Sequence, residues 1–136
     1  MTTDDITSLI PQRPPILMVD RFSYEDDSLC HSELTLKEDN MFLHNGSMVP
    51  EGLLEHIAQT AAAHIGYRRK MAGEEVNLGF IGDIKRCTMG KRMPTVGQTV
   101  MTTMRVVSQV GNITMVSAES TSDGETLIEC RMKLAN

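Results

Sequence analysis

The chain has 136 residues, a formal net charge of −5, 11 methionines, no tryptophan and only 4% aromatic residues. That length fits one domain with a core of its own. The acidic balance argues against the extended cationic surface that phosphate-backbone recognition needs, and the few aromatics offer no stacking platform for bases, so nucleic acid is not an expected partner.

In chain order, residues 4–10 read as a short helical turn with Asp4 or Asp5 as its cap. Pro11, Pro14 and Pro15 then rule out a regular helix or a central strand. An apolar run from Ile16 to Phe22 leads into a strand that reaches a turn at Glu25, Asp26 and Asp27. Ser32, Leu34 and Leu36 alternate with Glu33, Thr35 and Lys37, the period of a half-buried strand. Residues 38–50, rich in Asn, Gly and Pro signals, read as a loop.

The stretch that follows predicts a long helix over 51–71. Pro50 suits its first position, where the missing N–H is not needed. Leu53, Leu54, Ile57 and Ile65, with Ala58, Ala61, Ala62, Ala63 and Gly66, leave almost no polar face, which marks a buried helix. Arg68, Arg69 and Lys70 complement its negative end, and Gly73 terminates it. Glu55 stands inside this apolar run, where a carboxylate is costly unless it is paired, protonated or working.

Strands follow. Candidates run from Leu78 to Arg86, from Gln98 to Gln109 and from Ile113 to Thr121, with turns at Pro94 to Gly97, Gly111-Asn112 and Asp123-Gly124. In the last strand Ile128, Cys130, Met132 and Leu134 face one way, and Glu129, Arg131 and Lys133 the other. This order predicts an α+β fold in which a curved antiparallel sheet wraps one long central helix. Residues 1–136 form a single domain, without repeat or linker. One sheet covers one side of such a helix, so dimerisation is expected to cover the remainder and an edge strand.

Cys30, Cys87 and Cys130 are odd in number and show no metal spacing, which fits free thiols in a reducing cytoplasm. The N-terminal Met1-Thr2-Thr3-Asp4-Asp5 is unlike a targeting peptide, and no apolar run approaches the ~20 residues of a membrane span. No metal or cofactor is expected. H-E-x-x-H spacing is absent, and His56 and His64 on the helix read as packing and hydrogen-bonding residues. His31, in a strand, has no partner in view.

Three segments carry a family resemblance. Leu9 through Arg21 resembles an "L-P-H-R-x-P-x-L-x-V-D-R" opening, Pro50 through Gln59 a "P-G-V-L-x-x-E-A-x-A-Q" helix start, and Leu78 through Lys85, followed by Pro94 to Gln98, a tunnel-lining strand and its turn. Together they look like a hotdog-fold 3-hydroxyacyl-acyl-carrier-protein dehydratase of the FabA/FabZ type. The chain departs from that pattern at Gln12, where the family has histidine, and it lacks the "G-H-F-P" motif of the catalytic histidine. His44 lies nearer to Glu55 than the family's spacing, which selects Met41 instead. Residues 51–62 look closer to a divergent branch found with aryl-polyene and flexirubin-type pigment genes, some members of which partner a complete dehydratase.

The resemblance implies elimination of water from a 3-hydroxyacyl thioester on an acyl carrier protein, giving a trans-2-enoyl product. Glu55 and His44 are the implied acid and base; their bland readings are a first-turn helix carboxylate and a solvent-facing loop histidine. Gln59, one turn beyond Glu55, orients its carboxylate or lies at the dimer seam. Gly52 admits the thioester to the helix start or serves its geometry. Phe80, Ile81 and Gly82 line an acyl tunnel or fill the core. Lys85, Arg86, Lys91 and Arg92 form a basic patch for an acidic carrier or a solvated face. The partner is a homodimer or heterodimer mate. The alternatives are a non-catalytic acyl-binding subunit that completes a partner dehydratase, and an acyl thioesterase.

Overall fold

The computed structural model describes residues 1–76 and 81–135, with Ile81 described by its backbone alone. The predicted strand start at Leu78 to Phe80 lies outside the described residues. In order, the elements are β1 (Thr2–Thr3), a 3-10 turn (Ile6–Ser8), β2 (Arg21–Asp26), β3 (Leu29–Thr35), β4 (Leu43–His44) and β5 (Ser47–Met48). Then come α1 (Pro50–Met71), β6 (Ile81–Met89), β7 (Thr99–Val110), β8 (Ile113–Ser122) and β9 (Glu125–Ala135).

A seven-stranded sheet runs in the order β1-β2-β3-β7-β8-β9-β6, every described pairing antiparallel. Alternation built it. Leu34, Met104, Val116, Ala118, Ile128, Met132 and Leu134 are buried against the helix, while Glu119, Glu129 and Arg131 face outward. From the helix, Leu53, Ile57, Ala61 and Ala63 are 0% exposed. The Asp123-Gly124 turn takes positive φ at both residues, the conformation that matches hairpin twist.

Three sequence expectations change. The helical turn at 4–10 shrinks to Ile6–Ser8, and Asp5 makes no side-chain cap; Asp4 pairs with Arg21 at 2.9 Å instead. The loop at 38–50 contains the β4–β5 hairpin, because Asn45 and Gly46 both adopt positive φ. β6 extends to Met89, beyond the expected end at Arg86.

The proline-rich segment 9–20 lies along the helix and joins the sheet only at its end, where Asp20 N–H donates to the Glu33 carbonyl at 2.8 Å and its carboxylate accepts the Thr35 N–H at 2.8 Å. Gly66 makes the approach to the helix possible: a Cβ there would lie 2.1 Å from the Leu9 carbonyl oxygen. At the far sheet edge, residues 82–89 of β6 are exposed throughout. A register shift between Ile84 and Arg86 sets Gly82, Ile84, Cys87 and Met89 opposite Leu134, Met132, Cys130 and Ile128. The inner face of this edge is thus an apolar stripe, with Ile84 45% and Met89 40% exposed.

Candidate active site

Glu55 sits on the second turn of α1, half-buried, and Gln59 explains its orientation. The Gln59 Nε2 donates to Glu55 Oε2 at 2.8 Å and to the Ile16 carbonyl at 2.8 Å. Its Oε1 accepts the Met18 N–H at 2.6 Å. A buried amide in this position satisfies two backbone groups of the proline-rich segment, which lacks a ladder of its own. The same bonds lock the amide and present its second N–H to the carboxylate.

Beside Glu55 lies a cleft of about 240 Å³. Glu51, Leu54, Glu55 and Ala58 line its helix side; Gly82 and Ile84 of β6 and Met132 of β9 line the other. Apolar walls next to one oriented carboxylate suit an acyl chain whose reacting carbons lie beside that carboxylate. A larger cavity, about 610 Å³, occupies the C-terminal end of α1 and shares no residue with the Glu55 cleft. Arg68 and Arg69 in its wall already pair with Asp27 and Glu74, so its charges are internally balanced.

The structure groups Glu55, Gln59 and Gly82, and separates others. His44 is exposed on the β4–β5 hairpin and is not part of the cleft beside Glu55 of its own chain. That hairpin is anchored: Val49 N–H donates to the Phe42 carbonyl at 2.8 Å, and Met48 N–H to that of Pro94 at 2.9 Å. Gly52 is buried beneath it, where a Cβ would lie 2.7 Å from both Met48 Cγ and Phe42 Cβ. Its N–H donates to the Val49 carbonyl, so this glycine serves the close seating of the hairpin on the helix start. Phe80 and the Ile81 side chain lie outside the described residues.

Among the basic residues, Arg92 is a structural clamp. It donates to Glu125 at 2.9 Å, Gln98 at 2.9 Å and the Ser122 carbonyl at 3.1 Å. Lys85 pairs with Asp83 at 2.8 Å, while Arg86 and Lys91 are exposed.

The polar spine under the site is a feature that motif reading missed. His56 is 0% exposed; its Nδ1 lies 2.6 Å from the Met18 carbonyl, and its Nε2 lies 2.8 Å from Thr102 Oγ1. Thr102 meets Ser120 at 2.6 Å, and Ser32 meets Thr60 at 2.7 Å. Burial pushes the His56 pKa down to about 4, so it is neutral and sealed from solvent. The signal available in sequence was the polar inward positions Ser32, Thr102 and Ser120 on otherwise apolar strand faces. His64 bonds the Asp26 carbonyl at 2.9 Å and stacks on Tyr24, in keeping with its packing role. His31, expected to lack a partner, lies 3.2 Å from Thr103 Oγ1, because β7 pairs beside β3. Among the described residues no group of three metal-binding side chains occurs, and no helix is long and apolar enough to cross a membrane.

The 3-hydroxyacyl-[acyl-carrier-protein] dehydratase FabZ of Staphylococcus saprophyticus is 28% identical over 138 residues, covering 97% of this chain and 92% of that protein. The FabZ of Staphylococcus haemolyticus is 28% identical over 141 residues with the same coverage. Among solved structures, the dehydratase heterocomplex ApeI:P from Xenorhabdus doucetiae matches with a TM-score of 0.83 at 18% identity, covering 96% of this chain and 90% of that one. Thioesterase superfamily member 2 from Mus musculus matches with a TM-score of 0.62 at 10% identity, over 84% and 79% of the two chains. These structural likenesses speak for the hotdog fold alone. A family model described as ApeP-like, ApeP dehydratase, matches residues 4–136. The chain therefore belongs to the ApeP-like dehydratase family.

Proposed function

We propose that this dehydratase eliminates water from a 3-hydroxyacyl thioester carried on an acyl carrier protein, with Glu55 as the group that protonates the departing hydroxyl. The observation that carries this reading is the Gln59-oriented Glu55 carboxylate in the wall of a largely apolar cleft. Elimination removes a proton from the α carbon, forms the Cα–Cβ double bond and releases the β-hydroxyl as water. It needs an acid, a base and a positive environment for the thioester oxygen. The helix start beside Glu51 and Leu54 supplies the positive end of a dipole.

The base comes from across a subunit interface. Among the described residues β6 ends the sheet with no strand on its outer side, and it exposes the apolar side chains Ile84 and Met89, features that favour a second hotdog subunit. In a homodimer, His44 of the second copy takes the α proton. The exposure of His44, outside its own cleft, also favours a second reading. In that reading a different hotdog subunit supplies the histidine and this chain completes the pair, an arrangement in keeping with the heterocomplex neighbour. Exposed Arg86 and Lys91 dock the acidic carrier, with Lys85 beside them on β6. The three free thiols fit a cytoplasmic setting.

The test is enoyl-thioester absorbance from 3-hydroxyacyl carrier protein, with this chain alone and mixed with a second hotdog subunit. Turnover alone supports the homodimeric site; turnover only in the mixture supports the completing-subunit reading. Release of free carrier thiol without enoyl product would point to thioester hydrolysis and overturn both.

A further inference from the structure

Cys87 of β6 and Cys130 of β9 are direct cross-strand partners, and both are free thiols. Opposed residues in an antiparallel pair project to the same face with Cα atoms about 4.5–5.5 Å apart, inside the about 4.4–6.8 Å window for a disulfide. The two differ in access: Cys87 is exposed, whereas Cys130 is buried. Burial, and to a smaller extent the neighbouring Cys87, push the Cys130 thiol up to about 11. The Cys87 thiol lies on the inner stripe, 3.7 Å from Met89 Sδ. Cys30 is on β3, separated from β9 by β7 and β8.

We propose that Cys87 and Cys130 form a reversible intrachain disulfide that fastens the edge strand β6 to β9. A low-molecular-weight disulfide is the oxidant. The Cys87 thiolate attacks one of its sulfurs, giving a mixed disulfide and releasing the first thiolate. Cys130 then loses its proton to solvent and attacks the Cys87 sulfur, releasing the second thiolate. Two protein thiols are oxidised by two electrons, and one external disulfide becomes two thiols. Exposure in the isolated chain makes Cys87 the entering nucleophile, so the reaction runs on chains whose β6 edge carries no second subunit, and the register that sets Cys130 directly opposite makes it the resolving thiol.

Position gives the bond a consequence. The next inward-facing pair toward the Glu55 cleft is Ile84 with Met132, both lining it. A bond between Cys87 and Cys130 thus restrains one wall of the cleft and the strand edge open to a second subunit. The inference stands on register and chemistry and does not depend on which reaction the cleft performs.

The full-length protein is incubated with excess oxidised glutathione, quenched in acid, denatured and alkylated, then mapped by mass spectrometry. Of the three thiols, Cys30 alone is expected to remain alkylatable, with Cys87 and Cys130 joined in one peptide pair and all three restored by dithiothreitol. Cys130→Ser halts at a glutathione adduct on Cys87, and Cys87→Ser gives neither product. Cys130→Ala, which keeps the buried site apolar, gives the same halt where serine disturbs packing. In the oxidised wild type, amide exchange along β6 slows by at least about tenfold. Three alkylatable thiols, a persistent Cys87 adduct in the wild type or a link between two chains overturns the proposal. Unchanged exchange in β6 overturns the fastening.

Discussion

Gln59 Nε2 donates a 2.8 Å hydrogen bond to Glu55 Oε2, the two side chains sharing one face of α1 a turn apart. The same amide holds the Ile16 carbonyl and the Met18 N–H. Orientation of the Glu55 carboxylate and attachment of the proline-rich segment are therefore coupled through one side chain. Gln59→Ala leaves two backbone groups without partners, at about 1–3 kcal/mol each. Urea unfolding should show a loss of roughly 3 kcal/mol, with dehydratase activity falling by about tenfold or more. Full stability in this variant contradicts the coupling.

Gly66 tests the seating of the opening segment. Its missing Cβ leaves room for the Leu9 carbonyl oxygen, only 2.1 Å from where that carbon would stand. Gly66→Ala should destabilise the chain by about 1–3 kcal/mol or more despite alanine's better helix propensity. Calorimetry reads the effect directly. A neutral or stabilised variant would mean that the segment is not packed against the helix.

His56 sets a pH dependence with a definite sign. Its folded pKa, pushed down to about 4, lies below the ordinary value of 6.5. Between these values the unfolded chain binds a proton that the folded chain refuses, so stability falls as pH drops through this window. The amount from this residue is roughly 3 kcal/mol, at about 1.4 kcal/mol per pKa unit. Urea midpoints followed from pH 7 to pH 4 should decline less steeply in His56→Gln than in the wild type. Parallel declines contradict a buried neutral His56.

The apolar edge of β6 predicts assembly. Met89 is 40% exposed in the isolated chain and lies outside the Glu55 cleft. Met89→Glu should shift sedimentation toward the monomer by at least about tenfold in dissociation constant while circular dichroism stays unchanged. An unaltered assembly would place the interface elsewhere.

The fold was largely legible because its signals are periodic. The alternation of Ile128, Cys130, Met132 and Leu134 and the apolar wrapping of Leu53 to Gly66 each specify an element and its buried face. Glu55 stood out as a charge in an apolar run, and Gln59 as its neighbour at helical spacing. Other features depend on partners distant in sequence. The bonds of Gln59 to Ile16 and Met18, or of His56 to Thr102, appear only when strands and helix are packed. The β4–β5 hairpin escaped notice because its strands are two residues each, too short for any period. Arg92 read as a surface cation because its carboxylate partner, Glu125, lies across a turn far along the chain.

The central claim is tested most directly by Glu55→Gln, which keeps the shape and the Gln59 contact and removes the acid. Enoyl product on the carrier protein is quantified by mass spectrometry in single turnovers, for whichever assembly is active. A loss of about 10²–10⁴-fold is expected, with unfolding stability within about 1 kcal/mol of wild type. Product formation at the wild-type rate would contradict the claim.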